Sequence, residues 1–220
     1  MRTKTLLLTA VLSAAGLASS FSLAQGAVYS VNAVGYVNLT VPAGLSLIAN
    51  PLDATDNTIA NVLKVPAGTQ IYKFNGTGFT SALYDDIDGW TSSGQPAGNI
   101  TLNPGEGMFV RNNSGPFTNT FVGEVKQGNL STPLPAGLSI VASQVPQQGK
   151  VSTDLSFPLI PGTQIYQFNG TSYKSFLYDD IDGWTSSGTP SEPSVAIAES
   201  FWVRNNAAAA AWTRTFSVNN

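Results

Sequence analysis

The sequence predicts an all-β protein built as two tandem, homologous sandwich- or barrel-like modules behind a cleaved signal helix. Three observations carry that prediction. The stretch Leu83-Tyr84-Asp85-Asp86-Ile87-Asp88-Gly89-Trp90-Thr91-Ser92-Ser93-Gly94 recurs residue for residue as Leu177 to Gly188. Repeats of this length fix an architecture before any local reading. Around them lie short apolar and aromatic runs punctuated by Asn-Gly and Pro-Gly, the pattern of strands joined by tight turns. The chain also opens as an export signal opens: Arg2 and Lys4, the apolar run Leu6 to Ala18, then Ser22-Leu23-Ala24 with small residues where a signal peptidase reads.

The expected organisation is a signal peptide over residues 1–24, a β module over 25–120 and a second over 121–220. The apolar run is shorter than the ~20 residues a membrane-spanning helix needs, so no membrane span is expected after cleavage. Export without a single cysteine favours a bacterial secreted or outer-surface protein, because small eukaryotic secreted domains lean on disulfides. Roughly 195 mature residues, in repeats of roughly 93, suffice for two modest cores. Without Arg2 and Lys4 the chain carries 8 basic against 13 acidic residues, a net charge of −5. That balance, with no basic cluster, argues against nucleic acid as a partner.

Taken in order, the opening strand near Val28 to Val37 lines up with Phe121 to Leu130, and Pro42 to Ala49 with Pro135 to Ala142. Asp56 to Leu63 carries the one helical pattern: Asp56 or Asn57 can cap, and Ile59, Val62 and Leu63 fall on one face. Its counterpart near Asp154 runs into Pro158. Asn75-Gly76 and Asn169-Gly170 are expected to form two-residue type I′ turns, pairing Tyr72 with Phe79 and Tyr166 with Tyr173. Tyr72 and Phe74 then share a buried face, and Lys73, replaced by Gln167 in the second copy, falls on the solvent face. Asn103-Pro104-Gly105 reads as a type II turn. Met108 to Arg111 and Phe201 to Arg204 follow as core strands, with Trp202 and Trp212 inside. The recurrent Arg111 is expected to pair with the recurrent Glu106. The join, Gly123 to Gly128, holds no flexible linker, so the modules should abut.

Candidate chemistry concentrates in the duplicated tract. Asp86-x-Asp88-Gly89 and Asp180-x-Asp182-Gly183 resemble the start of a calcium loop, making Asp86, Asp88, Asp180 and Asp182 candidate calcium ligands. The pattern is incomplete, because Trp90 and Ala97 stand where the fifth and twelfth ligands belong. Asp85, Asp86, Asp88 and Trp90, with Asp179, Asp180, Asp182 and Trp184, are candidate ligand-binding residues. An exposed indole can cover a sugar's C–H face while carboxylates take its hydroxyls. Turn chemistry explains the acids equally well, and a large indole can instead close over its own hairpin. Zero His and zero Cys remove the usual general base, cysteine nucleophiles and nearly all zinc sites. A carboxylate-pair hydrolase stays formally open, but a catalytic pair is not expected duplicated in both halves of one small chain.

The segments Gly44 to Leu52, Ile71 to Gly76 and Asn103 to Asn112 resemble an uncharacterised family of secreted bacterial β-repeat proteins of verrucomicrobial type. The resemblance spans nearly all of the mature chain and implies no activity. The second repeat departs from the pattern at Val195 to Ala198, where the Pro-Gly turn is missing. The expected function is non-enzymatic: adhesion or glycan binding at the cell surface or in extracellular material. The alternative is a structural subunit that assembles with copies of itself by strand-edge pairing, with Val28 to Val41 completing a neighbour's sheet.

Overall fold

A computed structural model describes residues 33–219; the expected signal peptide over 1–24 and the first mature residues lie outside them. The first repeat contains β1 (Val34–Val41), β2 (Gly44–Ala49), α1 (Ile59–Val62), β3 (Gln70–Phe74), β4 (Phe79–Asp85), β5 (Gly89–Ser92), β6 (Gln95–Pro96), β7 (Gly107–Asn112) and β8 (Phe117–Glu124). The second contains β9 (Gly128–Leu134), β10 (Gly137–Ala142), β11 (Gly149–Lys150), β12 (Gln164–Phe168), β13 (Tyr173–Asp179), β14 (Gly183–Ser186), β15 (Thr189–Pro190), β16 (Ser194–Val195), β17 (Ser200–Asn205) and β18 (Ala210–Phe216).

Each repeat is a small sandwich. One layer is a six-stranded sheet, ordered β2-β7-β3-β4-β5-β6 in the first copy and β10-β17-β12-β13-β14-β15 in the second. The other is a two-stranded ribbon, β1-β8 or β9-β18, and the second copy adds a short β11-β16 pair. Between the layers, Ile48, Ile71, Trp90, Val110 and Phe121 are buried together in the first copy. Val141, Ile165, Trp184, Val203 and Trp212 do the same in the second. Burying each such side chain contributes about 2 kcal/mol.

The expected boundary at 120/121 falls inside β8, all of which pairs with β1. Residues 121–124 therefore close the first ribbon rather than open the second, and only residues 125–127 separate the ribbons.

Several local expectations shift. The Asn-Gly hairpins have four-residue loops: Phe74 pairs with Phe79 and Tyr72 with Ser81, and likewise Phe168 with Tyr173 and Tyr166 with Ser175. The Asn75 side-chain oxygen accepts from the Gly78 N–H at 2.9 Å, and of the Asn-Gly pair only Gly76 adopts positive φ. This side-chain turn competes successfully with type I′. The slip is two residues, so every side chain keeps its face. Type I′ geometry appears instead at Ser93-Gly94 and Ser187-Gly188, two-residue loops with positive φ at both positions. The type II turn at Asn103 forms as expected, with Gly105 at φ 97°. The second copy keeps the same turn without Pro-Gly by holding Ala198 at φ 64°.

The helix is one turn long, although Ile59, Val62 and Leu63 are buried as its pattern requires. Its first N–H groups donate to Ile100 O and Gly98 O, so the segment is tied to the turn that leads into Thr101, which bridges Thr58. At the second copy's equivalent, Val151, Leu155 and Phe157 fill the core from consecutive turns.

The two repeats meet through matching surfaces. Ile48 bridges Glu199, and the equivalent residues Val141 and Glu106 bridge each other. Ala49 N–H donates to Ala198 O at 2.8 Å, and Ala142 N–H to Gly105 O at 3.0 Å. Phe74 packs on Trp202 at 4.8 Å between ring centroids, and their equivalents Phe168 and Phe109 at 5.7 Å. Such reciprocity is the signature of an isologous contact, here formed within one chain.

Candidate functional site

The duplicated tract forms the β4–β5 and β13–β14 hairpins with nearly the same geometry in both copies. The Asp85 carboxylate accepts from the N–H groups of Ile87 (2.9 Å) and Asp88 (2.8 Å), and Asp179 accepts from Ile181 and Asp182 at the same distances. These hydrogen bonds, the one from Asp88 or Asp182 first, hold both carboxyls below the ordinary Asp range. Asp85 and Asp179 are thus turn-forming acids. Asp86, Asp88, Asp180 and Asp182 are exposed on the same loops. No group of three or more Asp or Glu side chains converges as a metal cage among the described residues.

The indoles turn inward. Trp90 is 4% exposed and Trp184 6%, each packed on the preceding Tyr (Tyr84 and Tyr178) at 5.3 and 5.4 Å. Neither ring offers a face to a ligand: of the two roles open to them, the indoles take closure over their own hairpins, and the stacking role is corrected. The residues that project from these tips are Ile87 and Ile181, both 93% exposed.

Two further expectations are overturned at Glu106. Its partner is Lys73, at 2.9 Å, rather than Arg111. Glu106 and Arg111 lie five residues apart on extended chain, about 16 Å at the usual rise, so they cannot meet. Lys73 shares the inner face with Ile71, whereas Tyr72 and Phe74 point outward to the other repeat. Its ammonium also donates to Thr101 O at 2.8 Å, so this position is tied down rather than solvated. In the second copy Gln167 donates to Ser194 O and to Glu199. Glu199 lacks a cation there, and burial pushes its carboxyl above the ordinary Glu range despite the hydrogen bonds from Ala196 and Gln167.

The outward faces of the sheets create what the duplicated tract does not. A cleft of about 570 Å³ opens where the repeats meet. It is lined by Gly44 and Leu45 of β2, Tyr72 of β3, Phe79 of β4 and Phe109 and Arg111 of β7, with Tyr173 of β13 contributed by the other repeat. Phe79 and Tyr173 are each 49% exposed. Tyr72 donates its hydroxyl to Gln70, which fixes its ring. Arg111 is exposed and forms no ion pair or hydrogen bond among the described residues. The size lies within the range of small-ligand sites, and the lining is apolar with few polar groups, as such sites are.

Reading the sequence missed this cleft. The strand pattern assigns Tyr72 and Phe79 to register and Arg111 to an ion pair; Phe109 is buried as that pattern expects, but against the other repeat. The available signal was the strict alternation that puts Tyr72, Phe74, Phe109 and Arg111 on one face, together with the same aromatic alternation in the second copy.

The chain matches no family model, no curated protein and no solved structure. Its function rests on the site itself.

Proposed function

We propose that the protein is an exported, non-enzymatic glycan-binding protein of the bacterial surface or extracellular material, and that the inter-repeat cleft is its binding site. The observation that carries this reading is the aromatic lining of Tyr72, Phe79 and Tyr173, in which the Phe79 and Tyr173 rings are half-exposed and Phe79 packs on the buried ring of Phe109. Aromatic faces take the C–H faces of sugars, and half-exposed rings on two paired sheets need little reordering to do so. None of the residues lining the cleft is Asp or Glu, so it presents no general acid and base to a glycosidic bond. The leader-like residues 1–24 support export, and the sparsely charged, Asn- and Thr-rich sequence suits a hydrogen-bonding extracellular surface.

Tyr173→Ala tests the site, since this exposed ring contributes to the cleft from the second repeat. On immobilised polysaccharides the variant should bind about tenfold more weakly, the equivalent of about 1.4 kcal/mol. Asp86→Ala with Asp180→Ala should bind as the parent does. Loss of binding in the Asp variants with retention in Tyr173→Ala would move the site back to the hairpin tips.

One observation favours self-assembly as a second reading. Val34, Tyr36 and Val122 are exposed on the β1–β8 ribbon, where Tyr36 lies opposite Val122. Assembly through this face, rather than through sheet edges, fits the pairing of β1 with β8 of its own chain and the Pro96 and Pro190 that terminate the outer strands. Light scattering that reports a monomer at millimolar concentration would dispose of it.

A further inference from the structure

We infer that the cleft selects saccharides bearing a carboxylate, with the Arg111 guanidinium as the group that recognises it. The inference rests on the glycan-binding reading and adds the chemical class of the sugar. Among the seven lining residues one is cationic and none is anionic. Arg111 stands on β7 with Leu45 opposite on one neighbouring strand and Gln70 on the other, so no counter-charge flanks it in the sheet. Two residues earlier on the same strand face lies the buried Phe109, and opposite it on β3 stands Tyr72, which puts the charge beside the aromatic lining.

The strand that carries Arg111 is held firmly. Asn112 is 1% exposed, and its side-chain amide donates to Pro42 O at 3.1 Å and Gly115 O at 3.0 Å. The arginine therefore starts from a fixed backbone at the rim, and its planar fork matches a carboxylate through two parallel N–H···O bonds. A uronic acid residue meets both halves of the site, its ring on the aromatic wall and its carboxylate on the guanidinium. A neutral hexose meets only the first. The chain's net charge of −3 attracts no polyanion in general, so any preference for acidic sugars must be local.

Arg204 provides an internal control. It occupies the equivalent position on β17 and is likewise exposed, yet it does not line the cleft. The probes are polygalacturonate and polymannuronate, each beside its fully methyl-esterified form, which removes the charge and keeps the ring. Titration calorimetry at moderate salt should show the parent chain binding at least one polyuronate about tenfold more tightly than its ester. Arg111→Met should erase that preference, so that polyuronate and ester bind the variant alike. Arg111→Lys should keep part of it, about threefold, because a point charge remains without the fork. Arg204→Met should preserve it in full. Equal binding of acid and ester by the parent, binding of neutral glycans alone, or equal losses in Arg111→Met and Arg204→Met would each overturn the inference while leaving glycan binding intact. Failure to bind any polysaccharide, neutral or acidic, would instead bring down the glycan reading and this inference with it.

Discussion

The two repeats share one backbone plan and satisfy it with different side chains. Where Lys73 neutralises Glu106 in the first, Gln167 leaves Glu199 with only neutral donors in the second. Where Trp184 donates its indole N–H to Ser152 at 2.9 Å, the Trp90 N–H is buried without a partner. Where Gly107 stands in the first repeat, Ser200 stands in the second, and the two meet at the contact between repeats. Turn and strand geometry depends on a few local residues and is copied faithfully. Partners across the fold depend on what happens to lie opposite, and duplication does not conserve them.

The Gly107–Ser200 contact explains one asymmetry as a necessity. A Cβ on Gly107 would come within 2.3 Å of Ser200 Cβ and 2.6 Å of Ile140 Cγ2. Equivalent residues of an isologous contact approach each other near its axis, and here only one of the two has room for a side chain. Ser200 takes it and donates its hydroxyl to Ile48 O at 2.8 Å. Gly107→Ala should therefore have the largest effect on stability, about 3 kcal/mol by overpacking. Adding Ser200→Gly to it should recover part of that loss. Chemical denaturation of the single and double variants checks both, and additive losses would show that the two positions do not compete for the same space.

Next in size is the indole comparison. Trp184→Phe orphans the Ser152 hydroxyl as well as losing packing, whereas Trp90→Phe removes an N–H that has no partner. The first should cost about 1 kcal/mol more than the second in parallel melts. Equal costs would mean that the Ser152 hydrogen bond contributes nothing net.

The smallest effect concerns charge and carries a pH signature. Glu199 has a folded-state pKa above its unfolded value, so the native state binds its proton more tightly. Its contribution favours the fold at pH below the unfolded value near 4.5 and is lost as pH rises through the folded value. Gln167→Lys puts in the second copy the ammonium that the first already has. It should raise stability at pH 7 by about 0.5–1 kcal/mol, and the gain should disappear near pH 4 as Glu199 protonates. Lys73→Gln should give the first repeat the opposite change. A gain from Gln167→Lys that persists unchanged at pH 4 would show that it does not act through Glu199.

Much of the fold was legible because it is local. Gly105 follows Pro104 in a type II turn, Ile59, Val62 and Leu63 mark a buried helical turn, and Val110 and Val203 lie in core strands. The misreadings share one cause. Alternation correctly separates Tyr72 and Phe74 from Lys73, but by itself it reads as core against solvent. The inner face is covered by the ribbon and part of the outer face by the other repeat, so alternation separated two interfaces instead. Arg111 and Glu106 recur together as neighbours in sequence, yet an extended strand carries them apart.

The sequence alone determined two equivalent β modules, the residues that turn the chain and the groups of side chains that share a face. Those follow from backbone sterics and from the two-residue period of a strand, which act over a few residues. Tertiary structure alone decided which face became core, that Trp90 and Trp184 are buried, and that Tyr72 and Arg111 meet Tyr173 across a cleft. The residues that settle those questions lie elsewhere in the same repeat for the core and the indoles and in the other repeat for the cleft, and what covers a face is a property of that distant surface, not of the strand itself.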